Sequence, residues 1–305
     1  MSPLSDSIQK TLAYFSLFDF PLTKEELFAN LWQPPRMAYE EFVSGGLAGI
    51  GEKYGYFFLP GREETAENRR LHLLISEMKM KIARRAVKKI RAVPFLRAVF
   101  VCNSVGQGLA RQESDIDFFI ISAPGRVWLV RFFTNLILKF WRLRTYGKNR
   151  RDKICLSFYV DENHLDLKPL CALNNDIHFI YWMHQMIPIF DPDNFYHKFI
   201  GANRWTEEYL PNIKRKSSGG YLLSVTESVF GHAWKRVWES MWGGAYGHIL
   251  EHQAKAIQMQ RLKAGVKDAA TRGDNSVVIS DSVIKLHEND ARVKYFERWK
   301  SGQLV

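Results

Sequence analysis

Two aspartates one residue apart, Asp115 and Asp117, are the side chains of this chain best placed to do chemistry. On a β-strand, residues two apart project to the same face, so the two carboxylates stand side by side while Ile116 and Phe118 point into a core. Carboxylates that close repel each other unless a cation sits between them. A hard divalent ion, Mg²⁺ or Mn²⁺, suits the pair because it takes carboxylate oxygens, keeps waters and bridges phosphates. Upstream, Asn103 and Ser104 follow an apolar, β-rich run, Ala98 to Cys102, and open a turn rich in small residues. A strand that gives way to such a turn and a helix start offers backbone N–H groups and a hydroxyl to phosphate oxygens.

These residues need elements to hold them. The run 98–102 predicts one strand and Ile116 to Ser122 a second. An apolar-periodic helix follows from about Val127 to Leu143, and Lys153 to Val160 reads as a third strand, an order that argues for an α/β domain. Ahead of it, residues 65 to 92 predict a long helix ending before Pro94, with Arg84, Arg85, Lys88, Lys89 and Arg91 near its C-terminus, where cations suit the helix dipole. Residues 7 to 60 predict three short helices and a hairpin. Thr23 N-caps the second, with Glu26 in capping-box position; Gly45-Gly46 ends the third; Ile50 to Leu59 forms the wing. Together they resemble a winged helix-turn-helix, although the candidate reading helix offers Glu40 and Glu41 where a DNA-binding version normally has basic or amide groups. Beyond residue 166 the pattern turns mainly helical, with Lys214 to Gly220 as a linker and Trp234, Trp238 and Trp242 spaced as a stripe that favours core or oligomer interface over a membrane anchor.

From Asn103 to Asp117 the chain resembles the signature of the DNA polymerase beta-like nucleotidyltransferase superfamily, in which Gly-Ser precedes an Asp-x-Asp strand by about eleven residues. Ser104 matches the family serine, and Gly108, Ala110, Arg111, Ser114, Asp115, Ile116 and Asp117 fall at the typical positions without a gap. The resemblance covers roughly residues 95 to 165 and implies an α/β (α+β) fold with a central sheet and flanking helices. It divides the chain into a winged-helix-like unit over 1–65, a nucleotidyltransferase domain with its leading helix over 66–165, and a mainly helical region over 166–305. It also implies transfer of a nucleoside monophosphate from an NTP to a hydroxyl on an unknown acceptor. Asp115 and Asp117 would be the catalytic and metal-binding residues; Asn103, Ser104, Arg111 and Lys153 would face the nucleotide phosphates.

Three departures bear on activity. Asn103 stands where the family has glycine, Val105 and Gln107 replace its basic residues, and the third carboxylate is missing. Cys155 or Ser157 aligns with that last position, while Asp152 and Asp161 flank it. The alternative is therefore a catalytically inactive regulator that binds a nucleotide or nucleic acid on the same fold.

Composition sets the wider frame. A hydrophobic share of 46% fills real cores, and 43 Lys+Arg against 32 Asp+Glu, a formal charge of +11, favours polyanionic or nucleotide partners. The densest basic run, Lys139, Arg142, Arg144, Lys148, Arg150, Arg151 and Lys153, suits a triphosphate or a nucleic-acid backbone as well as a solvated loop. Cys102, Cys155 and Cys171 share no C-x-x-C spacing, so neither a disulfide framework nor a zinc knuckle is supported, and a reducing cytoplasm fits best. No apolar run reaches the roughly 18 residues of a spanning helix. His248, Glu251 and His252 match an inverted zinc-peptidase pattern, with Glu288 and Glu297 downstream, but a five-residue match in a helix arises readily by chance. Asp191 and Asp193 read as turn formers rather than calcium ligands.

Overall fold

A computed structural model describes every residue except 1, 46, 48, 146, 148, 214–223, 274, 288–289 and 302–305. The proposed linker 214–220, Lys148, Glu288 and the Gly46 end of the third helix lie outside the described residues.

Helix α1 (Pro3–Ser16) starts at Ser2, whose side chain accepts from the Ser5 N–H. Thr23 and Glu26 close the expected capping box on α2 (Lys24–Ala29). After α3 (Tyr39–Ser44) come β1 (Gly51–Lys53) and β2 (Tyr56–Phe58), an antiparallel hairpin. Its two-residue loop, Tyr54-Gly55, takes φ of 56° and 76°. Positive φ at both loop residues matches the twist of the flanking strands. The 28-residue α4 (Glu63–Ile90) then leads into the central sheet.

That sheet begins with β3 (Leu96–Cys102), the single turn α5 (Asn103–Gly106), β4 (Ile116–Ser122), α6 (Val127–Phe140) and β5 (Ile154–Asp161). All three expected strands and the crossover helix form. The chain continues through α7 (Ile177–Gln185), β6 (Ile187–Phe190), α8 (Phe195–Ala202), α9 (Val229–Trp242), α10 (Ala245–Arg261), α11 (Ala264–Thr271), β7 (Val277–Ile279), β8 (Val283–Leu286) and α12 (Arg292–Ser301). The region read as mainly helical thus also supplies three strands, and the six-stranded sheet runs β6-β3-β4-β5-β8-β7. Only β4 and β5 pair in parallel, joined by α6, as a parallel connection requires. Among the described residues no helix is long and apolar enough to cross a membrane.

Alternation along β3 and β4 sorts the core into two halves. Ala98, Phe100, Phe119 and Ile121 face the N-terminal helices, α7 and α8, whereas Val99, Val101, Phe118 and Ile120 face α4, α6 and α10. The sheet is therefore a middle layer between these two sets of helices.

Candidate metal and nucleotide site

Asp117 is the second residue of β4, and its Cα partners are Cys102 on β3 and Cys155 on β5. Asp115 ends the loop leading into the strand. Lys79 of α4 holds that loop: its buried ammonium donates to the carbonyls of Gln112 and Ser114 at 2.9 and 2.8 Å and to Asp152 at 2.6 Å. One oxygen each of Asp115 and Asp117 and the sulfur of Cys155 lie within 4.8 Å of one another. Burial, and then the charge of Asp115, raise the Asp117 carboxyl to about 6, with hydrogen bonds from Asn103 and Cys155 pulling the other way.

Register places Cys155, not Ser157, opposite Asp117. Burial, then the charge of Asp117, push its thiol up, so it is protonated at neutral pH. Neither flanking acid replaces it. Asp152 is paired with Lys79, and Asp161, at the far end of β5, accepts from the Asn163 N–H at 3.0 Å and lies 2.6 Å from His164.

Asn103 takes φ of 53°, a left-handed conformation that Asn tolerates better than most residues. Its Oδ1 accepts from the Trp182 indole at 2.7 Å. The turn then passes close beneath its neighbours. A Cβ on Gly106 would sit 2.7 Å from the Val101 carbonyl oxygen, and Gly108 has φ of +74°.

Asn103, Ser104 and Arg111 line a cavity of about 480 Å³ that reaches over Phe158 towards β8. Arg111 is exposed and 3.4 Å from Asp19 of the N-terminal unit. Lys153 behaves differently. Its ammonium donates to the Arg142 carbonyl at 2.8 Å, away from the residues lining this cavity. Others of the basic run are likewise engaged in local structure: Arg144 donates to Asn135, Thr145 and the Ile154 carbonyl, and Arg151 lies 3.6 Å from Glu113.

Sequence reasoning missed the far wall of the cavity: Lys285, His287 and Arg292, with Trp182 and Phe179 from α7. Burial, then repulsion from Arg292, lower Lys285 to about 8, while Asp290 accepts from it at 2.6 Å. Burial, then the Lys285 charge, lower His287 to about 4, so its imidazole is neutral at pH 7; its Nε2 lies 3.3 Å from Ser157 Oγ. Val283 to Leu286, a four-residue apolar-rich run, was the one signal, too short to mark a strand inside a helical region.

The remaining motifs are structural. Glu251 is buried and accepts from the N–H groups of Trp128 and Leu129 at 2.7 and 2.9 Å, anchoring the start of α6. Asp191 caps α8, accepting from Phe195 and Tyr196 at 2.6 and 3.0 Å. Comparison of the chain with protein-family models, curated proteins and solved structures finds no match.

Proposed function

We propose that this protein binds a nucleoside triphosphate through one divalent cation, Mg²⁺ or Mn²⁺, held by Asp115 and Asp117, on a site of the nucleotidyltransferase type. The observation that carries the reading is the strand-end carboxylate pair, within reach of a single ion, whose Asp117 is hydrogen-bonded by Asn103 of the turn that lines the cavity with Ser104. The donor set fits that ion. Two carboxylates plus substrate phosphates and water are what Mg²⁺ ordinarily takes, and a cation relieves the repulsion that raises Asp117. When bound, the ion would neutralise the pair and the phosphates. Ser104 would donate its hydroxyl to a phosphate oxygen, Arg111 would supply a mobile cation, and Asn103 would hold the turn open through its left-handed backbone.

Cys155 favours binding without turnover. A protonated thiol neither ligates a hard cation nor takes the proton of an attacking hydroxyl. The second reading is nucleotidyl transfer, in which the acceptor oxygen attacks the α-phosphorus, the bond to the β-phosphate oxygen breaks, and pyrophosphate leaves. His287 lines the cavity with its Nε2 3.3 Å from Ser157 Oγ and is a group there that could take the acceptor proton, although burial makes it a weak base. Calorimetric titration of each NTP with Mg²⁺ or Mn²⁺ into the wild type and an Asp115→Ala, Asp117→Ala variant tests the site, and pyrophosphate release on adding candidate acceptors separates the two readings. Metal-dependent binding absent from the variant is expected. No binding to the wild type would reduce the motif to a strand end.

A further inference from the structure

The C-terminal half of α4 is a basic ridge bordered on two sides by exposed apolar side chains, and we infer that this surface docks on an anionic lipid bilayer. On one side stands α9. Phe230, Trp234, Val237 and Met241, at i, i+4, i+7 and i+11, form one outward stripe that is 53 to 88% exposed. Its inward face is fixed: Lys235 donates to the Leu96 carbonyl at 2.9 Å and pairs with Glu227 at 2.8 Å, and Glu239 accepts from Arg97 and the Phe95 N–H. The outward direction of the stripe is therefore set by half-buried ion pairs on the opposite face. On the other side, Phe140 is 79% exposed and Lys89 lies 3.6 Å from the Trp141 ring centroid.

The cations adjoin the apolar groups directly. Lys88 and Arg91 line the same shallow groove as Phe230, Trp234 and Val237, and Lys81, Arg84 and Arg85 continue the ridge with Lys88. A monomer rarely leaves such an apolar patch to water, so the surface has an occupant. Charge and chemistry together select it. A nucleic acid would neutralise the ridge but leave Val237 and Met241 against a polar backbone. A bilayer satisfies both at once, with apolar side chains at the acyl boundary and Lys and Arg at anionic headgroups. The net charge of +11 attracts the chain to such a surface from a distance.

The test is sedimentation of the full chain with vesicles of phosphatidylcholine alone or mixed with phosphatidylglycerol, at low and high salt. Binding to the anionic vesicles alone, weakened by salt, is expected. Lys88→Ala should lower the affinity about fivefold, as one cation near such a surface is worth ~1 kcal/mol. Phe230→Glu with Val237→Glu should abolish binding without changing the melting temperature, because both side chains are exposed. Failure to bind anionic vesicles overturns the inference, as does binding that the double variant leaves intact. Two further results would assign the face elsewhere: a dimer that the double variant turns into a monomer, or retention by a single-stranded oligonucleotide that the double variant abolishes.

Discussion

Replacing Asp117 by Asn should make the protein more stable while removing the proposed metal site, and the size of the gain follows from the environment of the carboxyl. Asp117 is buried, and burial and Asp115 raise it from an ordinary 3.8 to about 6. The folded chain therefore holds this proton more tightly than the unfolded chain does. The sign is opposite to that of a salt-bridged aspartate. Below about pH 4 both states are protonated and the group contributes nothing; as pH rises to 6 the unfolded state ionises first, and stability falls. Two pH units at ~1.4 kcal/mol each give a penalty on the order of 3 kcal/mol at neutral pH, an upper figure because Asp115 shares the charge. Asn keeps the shape and can still accept a hydrogen bond through its amide oxygen. Urea melts of both proteins between pH 4 and 8 should show the variant about 1–3 kcal/mol more stable at pH 7.5, with the difference vanishing towards pH 4. Saturating Mg²⁺ should stabilise the wild type and leave the variant unchanged. A variant less stable than wild type at pH 7.5, or a difference independent of pH, would refute the reasoning.

Two further outcomes follow from the same geometry. Cys155→Asp places a carboxylate opposite Asp117 and should tighten Mn²⁺ about tenfold in the titration, at a cost in apo stability from a third crowded charge; unchanged Mn²⁺ affinity would mean that residue 155 does not face the ion. Glu251→Ala strips two backbone N–H groups at the start of α6 of their acceptor and should destabilise the fold by about 2–4 kcal/mol by denaturant titration, with Mn²⁺ affinity unaltered. Zinc bound by the wild type and lost on His248→Ala with His252→Ala would instead restore the peptidase-like reading of His248, Glu251 and His252.

The elements that position the site were legible because their signals are local. Short apolar, β-rich runs marked β3, β4 and β5, and the Thr23–Glu26 pair marked the start of α2. Asn103 could be anticipated as a left-handed residue because a resembling family puts glycine there. The cavity was not legible, because its far wall comes from β8 and α12, more than a hundred residues beyond the aspartates in the chain. Strands of three or four residues such as β7 and β8 have too little periodicity to compete with the helical pattern around them, and pairing with β5 decides them. Lys153 shows the converse limit. Its place beside the strand was foreseen, but a side chain that long satisfies itself on the nearest carbonyl, Arg142, and no sequence pattern states where its ammonium ends.

Cys155 is where the two kinds of information meet. Sequence left Cys155 and Ser157 as alternatives because a strand's face depends on register, and register here includes an irregularity in the β4–β5 pairing between Asp117 and Phe119. Once Asp117 is paired with Cys155, the chemistry is constrained by charge. A carboxylate there would be the third anion in a buried cluster and would need metal to be tolerated, whereas a neutral thiol that donates towards Asp117 leaves the apo fold stable with a single shifted acid. At the proposed site, a thiol rather than a carboxylate at position 155 would trade metal affinity for stability in the absence of metal. That balance would suit the proposed binding of a metal–nucleotide complex as one unit, rather than the keeping of a resident ion.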